Sequence, residues 1–241
     1  MQQTIAISSF ERFPIHCGTT TRHFPLKVDS TRELAKNQFL FTLGEMLLGS
    51  KPKGWAVAEQ PHGDTVALLD GAPSTSMTLL EGADGLITQR PDQVLSILTA
   101  DCLSIFFYLE DPPVVGLVHA GWRGAAKGIV RRAVSAFNPL SRNQIQKLHV
   151  AFGPSIHSCC YEVGKEFRDL FPKSLEEREG RLYLDLVREN RRQLLETGFS
   201  PEQIGPPGPC TGCHPDQFYS YRKEGNSAYR MLSWIALRPR V

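Results

Sequence analysis

The sequence lacks a long hydrophobic run. No stretch approaches the roughly 20 apolar residues of a membrane helix, so no membrane partner is expected. It also lacks charge of one sign: 27 Lys and Arg face 25 Asp and Glu, a net charge of +2. That is too little for a nucleic-acid footprint. Basic residues do cluster at Arg131-Arg132, Arg188, Arg191-Arg192, Arg238 and Arg240, but acids interleave and the pattern reads as solvated helix faces. Residues 1–13 have no charged start, apolar stretch and small-residue cleavage site, so no signal peptide is read and a cytoplasmic location is expected. The six cysteines are then expected as reduced thiols rather than a disulfide scaffold. Internal repeats and low-complexity segments are missing too.

What is present is ordinary globular composition, 41% hydrophobic and 22% charged over 241 residues. One domain spanning 1–241 is expected, because the Pro/Gly cluster at 205–209 lies too near the C-terminus to divide two. Residues 18–22 read as a polar loop. Apolar spacing behind Ser30 predicts one helix to residue 48. Residues 55–58 and 65–69 read as strands joined by the turn Pro61-His62-Gly63-Asp64, and 71–82 as loop. Three apolar runs, 94–100, 103–109 and 114–118, suit buried central strands. Helices are expected over 121–138, 161–171 and 184–197, and further strands over 147–152 and 229–237. The class is α/β or α+β.

Three polar residues interrupt this apolar patterning. Cys102 sits between two buried runs, His119 ends a third before a sharp strand-to-helix turn, and His62 occupies a tight turn. Strand ends and turns beside a sheet are where such proteins place their sites. Two imidazoles and a thiolate form a three-ligand set for zinc, with a fourth position open. Bland readings stand beside it: a small buried Cys102, a strand-capping His119, a surface His62. A Cys102–His119 nucleophile pair is another. Arg123 and Arg222 stand near these turns, and a guanidinium fork suits phosphate or carboxylate as well as a surface ion pair. Cys210-Thr211-Gly212-Cys213-His214 has the spacing of c-type haem attachment, which goes with exported proteins. A redox dithiol or a plain turn remains, and no second C-x-x-C completes a four-cysteine zinc knuckle. The adjacent Cys159 and Cys160 read as packing residues.

The strings TADC (99–102), HAGWRG (119–124), GPSIHSCCYEVG (153–164), ENRRQL (189–194) and CTGCHPDQFYSYRKEG (210–225) closely resemble the bacterial YfiH-type family, also called laccase-domain or polyphenol oxidase proteins. The resemblance implies a single YfiH-like (cytotoxic necrotizing factor-type) α/β domain with central mixed sheets flanked by helices. It implies zinc-dependent phosphorolysis of adenosine, inosine, guanosine and methylthioadenosine, with deamination of adenosine as a further reaction. Its zinc ligands carry over onto His62, Cys102 and His119, and Arg222 onto a phosphate or substrate contact. Purine nucleosides and phosphate are the expected partners; oligomeric state is left open. Departures are Pro61 where the family writes valine, a shortened loop over 20–24, and His157-Ser158 in place of Gly-Pro. The family's older label implies copper instead, but a multicopper cluster needs closely spaced histidines and this chain has seven with no His-x-His. One Cys and two His suit a single copper. A non-catalytic zinc-binding protein is the third reading.

Overall fold

The computed structural model describes residues 2–37, 39–49, 51–69, 77–91, 93–141 and 144–238. The strands, in chain order, are β1 (Thr4–Ala6), β2 (Ile15–Thr20), β3 (Gly54–Ala58), β4 (Val66–Leu69), β5 (Met77–Leu80), β6 (Gly85–Thr88), β7 (Gln93–Thr99), β8 (Leu103–Leu109), β9 (Val114–Ala120), β10 (Leu148–Phe152), β11 (Glu162–Val163), β12 (Leu175–Arg178), β13 (Arg181–Leu184) and β14 (Met231–Leu237). The helices are α1 (Thr31–Leu34), α2 (Phe39–Leu48), α3 (Trp122–Lys127), α4 (Ile129–Ser141), α5 (Phe167–Leu170), α6 (Leu186–Glu196) and α7 (Tyr221–Glu224).

Two mixed sheets form the centre. One runs β1-β2-β14-β7-β3-β5 and the other β10-β8-β9-β6-β4; β11-β13-β12 makes a small third. Every residue of β7, β8, β9 and β14 is buried, because both sheets are covered on both faces. The period-2 alternation along β8 shows how. Phe106 and Tyr108 point to the core between the sheets, with Leu95, Ile97, Leu117 and Ile235. Ile105 and Phe107 point the other way, against Ile129, Val134, Phe137 and Leu194 of α4 and α6. Trp55, Val57 and Val94 on the far face of the first sheet pack against Leu34, Leu40 and Leu43. The result is a four-layer mixed α/β domain in the order helix, sheet, sheet, helix.

The central strands and β10 fall where the apolar runs predict. Other expectations are corrected. Residues 18–20 are not loop but the end of β2, paired with β1 and β14. Their polarity is absorbed inside the sheet: Thr19 Oγ1 and Ser104 Oγ each lie 2.9 Å from Ser233 Oγ, and Thr20 Oγ1 accepts from the Leu232 N–H at 2.9 Å. The helix behind Ser30 is two helices, separated where tight three-residue turns at Lys36 and Asn37 close α1. Residues 77–80 are strand β5, parallel to β3; 71–76 of that expected loop lie outside the described residues. The turn at His62 does not join a hairpin, since β3 and β4 belong to different sheets. Over 161–171 only α5 is helical, and 162–163 pairs with β13 instead. The β12–β13 hairpin went unread because its charged strands resemble solvated surface; Glu179 and Gly180 turn it at φ 50° and 73°. Residue 184 belongs to β13, and α6 starts after Asp185, whose carboxylate accepts the Arg188 N–H at 2.8 Å. No helix among the described residues is long and apolar enough to cross a membrane.

The helix expected over 121–138 breaks at Gly128, which caps α3 at φ 80° and lets α4 start on a new axis. Because an L side chain is disfavoured there, Gly128→Ala is expected to lower unfolding free energy by about 1–2 kcal/mol in urea denaturation, with the m-value unchanged. A neutral result would show that the break is not held by left-handed geometry.

Candidate metal centre

Strand register brings the first two donors together. In the antiparallel β8–β9 pair Leu103 faces Ala120 and Ser104 faces His119, so Cys102, one residue before β8, meets the turn after β9. That turn begins with Gly121. A Cβ there would lie 3.0 Å from His62 Cδ2 and 3.1 Å from Cys102 Sγ, so a side chain at this position would press on the converging donors. His62 comes from the crossover between the sheets. Its Nε2 is 4.0 Å from Cys102 Sγ, and its ring meets that of His119 edge-on with centroids 4.8 Å apart. One ligand atom from each of His62, Cys102 and His119 lies within 4.8 Å of the others.

A buried carboxylate that sequence reading did not single out holds this arrangement. Asp84, fully buried, accepts the His62 N–H at 3.0 Å and the Gly63 N–H at 2.6 Å, and its Oδ1 is 2.8 Å from His119 Nδ1. The His119 backbone N–H also donates to the Asp84 carbonyl, at 2.7 Å. With Nδ1 so engaged, His119 presents Nε2 to the donor cluster, the carboxylate–histidine pairing that orients metal ligands. The only sequence signal for Asp84 was an acid just before an apolar strand.

Three residues around the cluster take left-handed backbone: Gln60 (φ 64°), His62 (φ 63°) and Asp101 (φ 86°). Strain of this kind persists only where surroundings over-determine it. Gln60 is clamped to the main chain of Leu98 by both ends of its amide, at 2.6 and 2.7 Å. Asp101 accepts the Thr211 hydroxyl at 2.6 Å and the Arg222 N–H at 2.7 Å, while Ile156 N–H donates to its carbonyl at 2.9 Å. Both Asp101 carboxylate oxygens are thus committed to holding loops. Asp64, in the same turn as His62, pairs with Arg132 at 3.2 Å and does not line the pocket. Neither is placed as a proton donor to a bound molecule.

Burial would raise the Cys102 thiol, but the imidazoles of His119 and His62 outweigh it and bring it down to about 6. For His119, burial alone would lower the imidazole; the Cys102 thiolate and Asp84 carboxylate raise it to about 9. Both shifts run towards a thiolate–imidazolium pair in the protein without metal. Two imidazoles and a thiolate, pre-oriented and with room between them, fit a divalent transition metal.

A pocket of about 630 Å³ opens onto the three donors, lined also by Trp122, Arg123, Tyr161, Arg222 and Arg230. Arg123 stacks 4.4 Å over Trp122, and Arg222 stacks 4.9 Å over Tyr161 while donating to the Glu162 carbonyl at 2.6 Å. Burial raises the Tyr161 hydroxyl to about 12, keeping it a hydrogen-bond donor. Sequence reading placed both arginines near the turns; the structure brings both to the pocket wall, and adds Tyr161 and Trp122.

Fold and donor set together define a class: mixed α/β proteins with a His–Cys–His set at the floor of an open pocket. The profile of the family described as multi-copper polyphenol oxidoreductase laccase matches residues 21–238, and the chain belongs to that family. It is 34% identical to purine nucleoside phosphorylase YfiH of Shigella flexneri, over 92% of this chain and 84% of that one. With a purine nucleoside phosphorylase of Aquifex aeolicus it shares 37% identity over 74% of this chain and 80% of that one. The crystal structure of YlmD from Geobacillus stearothermophilus superposes with a TM-score of 0.81 at 29% identity, covering 96% of this chain and 94% of that one. A Bacillus licheniformis YfiH structure shares the fold, with a TM-score of 0.84 at 24% identity over 99% and 97% of the two chains.

Two measurements test the centre. In metal-free protein, iodoacetamide should alkylate Cys102 with a midpoint near pH 6, against about 8.5 for an ordinary thiol; a midpoint at or above 8 would show that the imidazoles do not hold a thiolate. Asp84→Asn, which removes the charge orienting His119, should weaken zinc affinity about 10–100-fold in chelator competition.

Proposed function

We propose that this chain is a zinc-dependent purine nucleoside phosphorylase acting as one catalytic unit, with His62, Cys102 and His119 as metal ligands at the catalytic centre. Adenosine, inosine, guanosine and methylthioadenosine are its proposed substrates, and adenosine deamination a further reaction. The observation that carries this reading is a single pocket in which a His–Cys–His floor meets two stacked arginines on the wall. The relatives named purine nucleoside phosphorylase support it.

When bound, zinc supplies Lewis-acid polarisation and a source of nucleophile at neutral pH. The chain's own residues do the rest. Arg222 and Arg123 attract phosphate, and their stacking on Tyr161 and Trp122 limits the freedom lost when they bind it. Phosphate oxygen then attacks the anomeric carbon, the bond from that carbon to the purine nitrogen breaks, and the base leaves with its electron pair and takes up a proton. The products are free purine and ribose 1-phosphate, or 5-methylthioribose 1-phosphate from methylthioadenosine. The Tyr161 hydroxyl and the aromatic faces bound the space the nucleoside occupies.

The family's description as a multi-copper polyphenol oxidoreductase laccase favours copper and phenol oxidation as a second reading. Among the described residues, no further histidine joins His62 and His119 in a cluster able to hold a metal, so the site suits one ion and not a multicopper centre. A cytoplasmic location is part of this proposal, supported by the six free cysteines.

Purine release from inosine by zinc-loaded protein should depend on phosphate and fall about a thousandfold or more in Cys102→Ala. Arg222→Ala should raise phosphate KM about tenfold or more with metal content unchanged. Ammonia release from adenosine without base release would replace phosphorylase by deaminase. Phenol oxidation with copper would install the oxidase, and no turnover with metal fully loaded would leave a binding protein.

A further inference from the structure

We propose that Cys159, Cys160, Cys210 and Cys213 form a second metal site, a tetrathiolate centre for zinc, separate from the His62–Cys102–His119 set. The proposal does not depend on the nucleoside reading. The four sulfurs lie within 4.8 Å of one another. Cys159 Sγ is 3.3 Å from that of Cys213 and 3.5 Å from that of Cys210, and Cys160 Sγ is 3.5 Å from that of Cys213. Tetrahedral zinc with bonds of about 2.3 Å places its sulfurs about 3.8 Å apart, so the cluster closes on an ion with small side-chain adjustments.

The C-x-x-C that lacked a partner in the sequence finds it in the fold. The chain around Ser155 runs parallel to that around Cys210, with Thr211 N–H donating to the Ser155 carbonyl at 2.9 Å. This pairing sets the 157–160 turn against the 210–213 turn. The packing reading of Cys159 and Cys160 is therefore corrected, since Cys159 and Cys213 are exposed and all four thiols face one another.

Three local features suit thiolates bound to a cation. The His157 backbone N–H points at Cys210 Sγ at 3.4 Å, and the Cys213 backbone N–H also bonds that sulfur. Gly212 is required by close approach, because a Cβ there would lie 2.8 Å from Cys160 Cβ. Arg178 donates to the Ser158 carbonyl and brings a positive charge to the same turn. A disulfide explains the arrangement less well. Cys159 and Cys213 each have two sulfur neighbours at nearly equal distance, so no pair is singled out.

Binding replaces four S–H bonds with four metal–sulfur bonds, releases the thiol protons to solvent and leaves a centre of charge −2. Its place in the fold gives it a role. Thr211, next to Cys210, holds the Asp101 carboxylate, and Ile156 holds the Asp101 carbonyl, directly before Cys102. The ion staples the wall behind the first site, adding a cross-link over a loop of about 50 residues to the backbone pairing that already sets the two turns side by side.

The test uses Cys102→Ala, which removes the thiolate of the first site. Purified under reducing, oxygen-free conditions and reconstituted with zinc, it should retain one metal ion per chain by plasma mass spectrometry. Cobalt in place of zinc should give the intense visible and charge-transfer bands of a tetrahedral tetrathiolate. Adding Cys159→Ser and Cys213→Ser, both at exposed positions, should abolish the ion and the bands. A Cys102→Ala protein that binds no metal and whose four cluster thiols titrate freely would overturn the proposal. So would a disulfide among them by intact mass, or metal retained by the triple variant.

Discussion

The buried carboxylate of Asp84 is the constraint on which the site depends. One side chain accepts two backbone N–H groups from the His62 turn and faces the His119 ring, while its main chain bonds the same histidine. Asp84 stands just before β6, which pairs with β9 on one side and β4 on the other. A charge buried in a dry sheet is costly unless fully hydrogen-bonded. Satisfying it therefore forces a strand end, a crossover turn and an imidazole into one geometry. The left-handed His62 backbone persists because this carboxylate over-determines it.

Around that anchor the four layers act as a rigid frame. β8 and β9 are buried throughout, and their register places Cys102 beside Gly121 without any freedom to slip, since a one-residue shift would turn every core side chain to the wrong face. Packing thus positions Cys102 and His119 through strand register. Their electrostatics follow: thiolate and imidazolium stabilise each other in a site where each alone would be neutral.

The pocket wall is less rigid by construction. Arg123 and Arg222 are exposed at their ends and ordered by stacking on aromatic faces, an arrangement suited to capturing a mobile anion. Behind it, Asp101 ties the strand interruption at Cys102 to Thr211 and Arg222. The cysteine cluster lies one residue further along that path, which links the order of the pocket wall to the state of four thiols.

The central strands were legible because burial on both faces writes an unbroken apolar run into the sequence, and His62, Cys102 and His119 stood out as polar interruptions of that pattern. Where polarity is satisfied within the packed sheets, as at Thr19 and Thr20 through Ser233 and the Leu232 N–H, the same logic misled and the end of β2 read as loop. Helix 121–138 was legible as helix but not its break, because a single glycine within an apolar period does not announce a left-handed cap. The buried strands, the three donor types and the family resemblance are carried by local pattern or short strings and are readable in the chain alone. That Asp84 joins the donors, that β3 and β4 part into separate sheets, and that Cys159 and Cys160 meet Cys210 and Cys213 emerges from the fold. Those are contacts between residues far apart in the chain, set by strand pairing and layer packing, and no local periodicity encodes them.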